Sequence, residues 1–236
     1  MRSRLQTQPD PDSGPRLRLE ALPSWPNTTT KRWVLSFAER VCEDSNTAAL
    51  LAIGSIVRQV TPVNDVDLLY IFRADRPRFR THPLDVDIRV YAAQEVGDLL
   101  STGHDLLSWC FRFGYLICEH NRFWTSLKDS WKGRVPLPSP TVAEQRAAQA
   151  QHRYEQLLEL GDSDAAHDQL VSLLTHRAWA SLLRHNIHPA SRPELPHQLR
   201  SLGEHSLASR LERALKERAV LASEDIAPAS VDGRAV

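Results

Sequence analysis

Two aspartates stand at the start of an apolar run, in the segment DVDLLYIF at residues 65–72. Residues two apart in a strand face the same side of a sheet, so this spacing places the carboxylates of Asp65 and Asp67 close together. Like charges this close raise a pKa unless a cation lies between them. A hard divalent cation such as Mg²⁺ prefers one or two protein carboxylates together with waters and substrate phosphates. The spacing therefore predicts a metal site at the start of this strand.

A second strand with further carboxylates is predicted from the strict alternation of LDVDIRVY at residues 84–91. The alternation places Asp85, Asp87, Arg89 and Tyr91 on one face and the apolar residues on the other. If this strand lies next to DVDLLYIF, Asp87 or Asp85 supplies a third carboxylate at the same edge, and three carboxylates can hold two metal ions. Asp85 has the alternative role of an ion-pair partner for Arg89.

Gly54 and Ser55 follow a short apolar segment, TAALLAI at residues 47–53, which predicts a buried strand. A glycine lets the backbone approach a ligand closely, and a serine hydroxyl can bind a phosphate oxygen. If SIVRQ forms a helical turn, its free N–H groups face the same place. Arg58 then lies one turn further on, as a phosphate contact or as an exposed turn residue. The pattern predicts a phosphate-binding turn followed by a metal-binding carboxylate pair.

The elements that would position these residues are a helix and a sheet, followed by further helices. Residues 30–43 show apolar positions three and four apart, the period of an amphipathic helix. DVDLLYIF is apolar on both faces, which is typical of a central strand covered on two sides. Beyond Ala92 the period becomes helical, with Leu107, Cys110, Gly114 and Ile117 on one stripe.

The second half of the chain is predicted to be entirely helical. One helix opens with Thr141 as a cap and Glu144 three residues later, and two further helices are expected at about 164–186 and 193–221. The predicted fold class is α+β, a small mixed sheet followed by an all-helical bundle. The predicted domains are a flexible N-terminal arm at 1–28, a sheet domain at 29–95, a helical domain at 96–223 and a flexible tail at 224–236.

Composition restricts the classes of function. The 236 residues are 42% hydrophobic and 25% charged, as expected for a soluble globular protein. The formal net charge is zero, so no global field would hold a long nucleic acid. The chain begins without an apolar signal core and has no membrane-length segment. Its three cysteines, Cys42, Cys110 and Cys118, have no metal-ligand spacing. These features predict a cytoplasmic protein with reduced thiols.

Taken together, these motifs resemble the signature of the nucleotidyltransferase superfamily typified by polymerase beta and the aminoglycoside nucleotidyltransferases. The signature here is GS, then nine residues, then DVD, with VDI on a later strand. The resemblance covers roughly residues 30–220. It implies that Gly54, Ser55 and Arg58 hold a triphosphate, and that Asp65, Asp67 and Asp87 bind two Mg²⁺ ions.

The reaction implied by this resemblance is transfer of a nucleoside monophosphate from an NTP to a hydroxyl acceptor, with pyrophosphate leaving. ATP is the default donor because it is abundant, and the acceptor is a small molecule or a partner protein rather than a polynucleotide. Asp87 would also accept the proton of the acceptor hydroxyl. Relatives often use a glutamate of the helical domain as base, and Glu119, Glu144 and Glu155 are the candidates here.

Two departures from the signature and one alternative function remain. Gln59 and Asn64 stand where members of the superfamily often have glycine and serine. Asparagine can make a similar capping hydrogen bond. The alternative is a non-catalytic nucleotide-sensing or protein-interaction module, similar to an antitoxin, on the same fold. The intact aspartates argue against it, because a site that has stopped binding metal gains nothing from clustered carboxylates.

Overall fold

The computed structural model describes residues 19–22, 24–58, 63–79 and 81–224. The chain divides into two compact units, residues 1–138 and 139–236. The first unit contains a mixed four-stranded sheet with its helices, and the second is built from helices alone in its described part. The predicted α+β class with helices after the sheet is therefore confirmed.

The sheet consists of β1 (Thr47–Ile53), β2 (Val66–Phe72), β3 (Val86–Ala92) and β4 (Tyr115–Glu119). Its spatial order is β3-β2-β1-β4. β1 pairs antiparallel with both β2 and β4, whereas β2 and β3 are parallel. All seven residues of β1 are buried, because helices cover the sheet on both faces.

One face of the sheet is covered by α1 (Thr28–Glu43), whose side chains Val34 and Ala38 pack with Leu50 and Leu68 of the strands. The predicted amphipathic helix is thus confirmed, and it begins after Asn27, whose side chain accepts the Thr30 N–H. Leu19 and Leu22, at the end of the predicted arm, are buried in the same cluster.

The opposite face is covered by α2 (Ala93–Ser101), α3 (Asp105–Phe113) and α4 (Phe123–Trp131). Leu100 of α2 and Trp124 of α4 pack with Leu51 and Leu69 of the sheet. This is also the face on which Asp67 and Asp87 lie, since alternate strand residues share a face.

The second unit contains four helices, α5 (Pro140–Glu159), α6 (Ser163–Arg184), α7 (Leu195–Ser201) and α8 (His205–Glu224). Its core joins α6 to the two later helices through Leu174, Leu182, Leu195 and Leu211. The expectation of one helix over 193–221 is wrong, because Gly203 has φ +80° and lies in a turn that separates α7 from α8.

Two further details of the sequence prediction are wrong. Ile117 does not continue a helical stripe, because α3 ends at Phe113 and Gly114 is extended, so the chain enters β4 as an edge strand. Thr141 is not a cap, because α5 begins at Pro140. Proline suits the first helical position, where its fixed φ is already helical and its missing N–H has no partner to lose.

A disulfide joins Cys42 of α1 to Cys118 of β4, across 76 residues of sequence and a Cα separation of 6.0 Å. The prediction of reduced thiols is therefore wrong for these two residues, because tertiary packing brings them together where the sequence shows no pairing. Structural disulfides are rare in cytosolic proteins. The cytoplasmic location remains a prediction, and the cysteines do not support it.

Within the described residues, no helix combines the length and the apolar character that a membrane crossing requires. Residues 1–18 and 225–236, which make up most of the predicted arm and tail, lie outside the described residues, as does Gln59.

We expect native protein, purified without reductant, to have no thiol that reacts with a thiol-specific reagent. Cys110 is fully buried, and burial raises the pKa of its thiol above the ordinary value. Denaturation without reductant should release one reactive thiol, and denaturation with reductant should release three. Two or three reactive thiols in the denatured, unreduced protein would show that the Cys42–Cys118 bond is absent.

Candidate functional site

The turn after β1 lies directly against the carboxylate of Asp67. Ile53, the last residue of β1, pairs with Asp67 of β2, so the next residue, Gly54, crosses the Asp67 side chain. A Cβ at position 54 would lie 2.3 Å from Asp67 Oδ2. Gly54 also has φ 75° and ψ −152°, a conformation that is essentially restricted to glycine. Position 54 therefore requires glycine for two independent reasons.

A second carboxylate stands beside Asp67 on the neighbouring strand. The parallel register of β2 and β3 pairs Asp67 with Asp87. Both side chains therefore lie on the same face of the sheet, at the N-terminal ends of the two strands, which form one edge of the candidate site. The Asp87 carboxylate forms an ion pair with Arg89, with Oδ2 2.6 Å from Nη2. Both partners are about half exposed, at 46% and 59%, so solvent weakens this ion pair.

Asp85 is directed to the other side of the sheet, which corrects the expectation that Asp85 and Asp87 share a face. Asp85 precedes β3, and its Oδ2 accepts hydrogen bonds from Asn27 Nδ2 at 2.8 Å and Thr30 Oγ1 at 2.5 Å. Both donors lie at the start of α1, the helix that covers the opposite face. Asp85 therefore anchors α1, and neither predicted role, as metal ligand or as partner of Arg89, describes its contacts.

The other candidates lie at the margin of this arrangement. Asp65 is exposed and precedes β2 by one residue. Ser55 opens a short 3₁₀ turn, Ser55–Val57, which closes when Arg58 N–H donates to the Ser55 carbonyl at 3.0 Å. The Arg58 guanidinium is half-buried and lies 4.6 Å from the centre of the Phe113 ring. A cation over an aromatic face is held in place by the ring's electron density.

Two groups with a raised pKa, the Cys110 thiol and the Tyr91 hydroxyl, lie on the same face of the sheet as Asp67. Burial raises the pKa of the Cys110 thiol, and the negative charge of Asp67 raises it further. Burial also raises the pKa of the Tyr91 hydroxyl, with smaller contributions from Asp105 and Cys110. A thiol that keeps its proton is neither a metal ligand nor a nucleophile, so Cys110 belongs to the apolar surroundings of Asp67.

The donor set tests whether a divalent cation fits. Asp67 and Asp87 are two carboxylates at one sheet edge, the oxygen ligands that Mg²⁺ prefers when substrate phosphates and waters complete its shell. Across the described residues, no three His, Cys, Asp or Glu side chains form a ready group for a metal ion. The residues present therefore fit one ion held by two carboxylates, and a two-ion site needs Asp65 to join them.

The three glutamates considered as general bases all have structural partners. Glu119 accepts hydrogen bonds from the backbone and hydroxyl of Thr125, and Glu144 pairs with Arg184. Glu155 accepts a hydrogen bond from the Gln151 side chain. None of these contacts marks the residue as a base.

Phe113 and Cys110 were not among the predicted site residues, yet both lie beside the candidate site. They are three residues apart at the end of α3, so they share one side of the helix. The sequence alone carries no signal for their position, because only the structure shows that this side of α3 is directed to the same sheet face as Asp67.

No protein-family model matches this chain, and no curated protein sequence matches it. Among solved structures, the chain is similar to the crystal structure of a nucleotidyltransferase-like protein from Exiguobacterium sibiricum 255-15. The sequence identity is 19%, the match covers 84% of this chain and 74% of that chain, and the TM-score is 0.35. A likeness at this level assigns no family, so function rests on the geometry of the chain itself.

Replacing Gly54 with alanine should lower the free energy of unfolding by about 1–3 kcal/mol, because the new side chain has a disfavoured backbone conformation and displaces Asp67. Urea denaturation measures this change. Gly97→Ala is the matched control. Gly97 lies within α2 with nothing within 4 Å of a Cβ, so its replacement should raise stability by about 0.5–1 kcal/mol. Equal effects of the two substitutions would contradict the close approach at Gly54.

Replacing Asp85 with alanine should lower the free energy of unfolding by about 1–2 kcal/mol, because Asn27 and Thr30 lose a charged acceptor at the start of α1. Chemical denaturation checks this, with the exposed Asp98 as control. Asp98→Ala should change stability by less than about 0.5 kcal/mol. If Asp85→Ala is as stable as the wild type, Asp85 does not anchor α1.

Proposed function

We propose that this protein is a Mg²⁺-dependent nucleotidyltransferase. The observation that carries the proposal is the close contact of the Gly54 backbone with the Asp67 carboxylate, at the edge where Asp87 is the neighbour of Asp67. The glycine lets the turn that begins at Ser55 approach the Asp67 carboxylate closely, so a phosphate group bound by that turn would share its cation with Asp67 and Asp87.

Asp67 and Asp87 would hold the cation, and Asp65 would be the further ligand if two ions bind. When bound, Mg²⁺ neutralises the charge of the triphosphate and stabilises the leaving pyrophosphate. The Ser55 hydroxyl and the Arg58 guanidinium are the groups on this turn that can donate to phosphate oxygens. Phe113 restricts the movement of Arg58 and so lowers the entropy lost when the arginine binds an anion.

Asp87 is the residue we assign to accept the proton of the acceptor hydroxyl. Its Oδ2 is paired with Arg89, which orients the carboxylate. Because both side chains are half exposed, Arg89 can move from Asp87 to a phosphate at small cost. We take ATP as the donor and a hydroxyl of a small molecule or a protein as the acceptor.

A second candidate function is a non-catalytic nucleotide-binding module that interacts with a partner. The Asp87–Arg89 ion pair favours it, because it occupies one of the two carboxylates that the catalytic proposal needs. The two functions differ in their metal requirement. Catalysis needs Mg²⁺ at Asp67, whereas a sensing module can bind the nucleotide through Arg58 and the backbone.

Calorimetric titration with ATP, CTP, GTP and UTP, each with and without Mg²⁺, tests the proposal. We expect the wild type to bind one NTP in a Mg²⁺-dependent manner. Asp67→Asn should weaken that binding by about 10–100-fold or more, the range typical for lost metal-site contacts. Asp98→Asn, an exposed substitution on α2, should leave it unchanged.

The remaining outcomes separate the two functions. Binding that persists without Mg²⁺ and in Asp67→Asn would favour the non-catalytic module. Failure of the wild type to bind any of the four nucleotides would reject both.

A further inference from the structure

The second unit contains an open pocket of about 380 Å³ between α5, α6 and the start of α8. Every residue that lines it lies within 139–236, so an inference about it is independent of the proposed function. Its volume falls in the range of small-molecule sites, which is about 300–1,000 Å³.

Small side chains create this pocket. α5 contributes Glu144, Ala147, Ala148 and Gln151, and α6 contributes Arg177, Ala180, Ser181 and Arg184. Each set follows the spacing i, i+3, i+4, i+7, which is one face of a helix. The two faces are joined at one end by the ion pair of Glu144 with Arg184, and at the other by the hydrogen bond of Arg177 with Gln151. The alanines between these bridges leave the space open.

Arg177 is the cation in the pocket that lacks a carboxylate partner. Its Nη2 donates to the neutral amide oxygen of Gln151 at 2.8 Å, and it forms no ion pair with any residue in the described ranges. The side chain is partly buried between two helices. A partly buried charge without a counter-charge is costly, and an anionic group bound in the pocket would remove that cost.

Glu204 is the corresponding anion on another wall. It is exposed at the start of α8, and its Oε1 accepts a hydrogen bond from the Ser181 hydroxyl at 3.1 Å. Among the described residues no cation pairs with it. Ser181 lies four residues after Arg177, about one helical turn along the same face of α6, so the hydroxyl that binds Glu204 is on the face that carries Arg177.

We propose that this pocket binds a free aliphatic α-amino acid. The carboxylate of the ligand pairs with the half-buried Arg177, and its ammonium group pairs with Glu204 at the open side. The side chain packs against Ala147, Ala180 and Leu207, which are apolar. A plain anion would meet the repulsion of Glu204, and a plain cation would meet that of Arg177. A ligand with both charges close together and an apolar group attached can pair with Arg177 and with Glu204 and pack against the apolar residues of the lining.

Calorimetric titration of the full-length protein with L-leucine tests this proposal, with N-acetyl-L-leucine, L-leucinamide and inorganic phosphate as comparison probes. We expect L-leucine to bind. The acetylated form lacks the ammonium group and the amide lacks the carboxylate, so each should bind at least tenfold more weakly. Phosphate should show no binding that depends on Arg177.

Substitutions assign the binding to the pocket. Arg177→Gln and Glu204→Gln should each weaken L-leucine binding at least tenfold. Arg153→Gln and Glu159→Gln, exposed on α5 outside the pocket, should leave it unchanged. Circular dichroism melting shows whether each variant folds. Ala148→Leu fills the pocket from an exposed helical position and should abolish binding even if a charge variant is unstable.

Three results would overturn the proposal. In the first, L-leucine, L-valine and L-isoleucine all fail to bind at millimolar concentration. In the second, L-leucine and its two blocked derivatives bind equally well. In the third, Arg177→Gln or Ala148→Leu binds L-leucine with wild-type affinity. Arg177-dependent binding of phosphate in place of leucine would also overturn it, because the pocket would then be a simple anion site.

Discussion

The contact between the Gly54 backbone and the Asp67 carboxylate is the constraint on which the first unit's candidate site depends. Pairing of Ile53 with Asp67 brings the turn over the carboxylate, and the absence of a side chain at position 54 lets that turn close. The strands on both sides are buried by helices on two faces, so the backbone cannot easily shift to make room. Asp67 is therefore held in one position by the same packing that stabilises the sheet.

The sheet also separates two kinds of carboxylate. Asp67 and Asp87 lie on the face covered by α2, α3 and α4. Asp85, although adjacent in sequence, turns to the N-terminus of α1 and accepts two hydrogen bonds there. A negative charge at a helix N-terminus is stabilised by the helix dipole as well. One short segment thus supplies a structural carboxylate, Asp85, and a candidate metal ligand, Asp87.

Local sequence patterns were sufficient for some of this arrangement. The apolar run of β1, the two-sided β2 and the alternation of β3 each report burial along a single segment, so these three strands could be predicted. The pairing of Asp67 with Asp87 followed only on the condition that β2 and β3 are neighbours, and the sequence left Asp85 as the alternative. Three other features could not be predicted, because each depends on which distant element is adjacent. They are β4, the Cys42–Cys118 bond and the contact of Asp85 with α1. The sequence shows a glycine at position 203, but it does not show that this glycine has a φ of +80° and ends the helix.

Both units place small residues beside charged side chains, with different results. In the first, the missing side chain at Gly54 lets the backbone of the turn close against the carboxylate of Asp67. In the second, alanines on α5 and α6 leave space between two polar bridges, and Arg177 and Glu204 border it. Only in the second unit is volume left open beside the charged groups, and that open volume costs packing energy. Under the proposal for this pocket, a ligand that carries the complementary charges and fills the space would recover both the packing energy and the electrostatic energy.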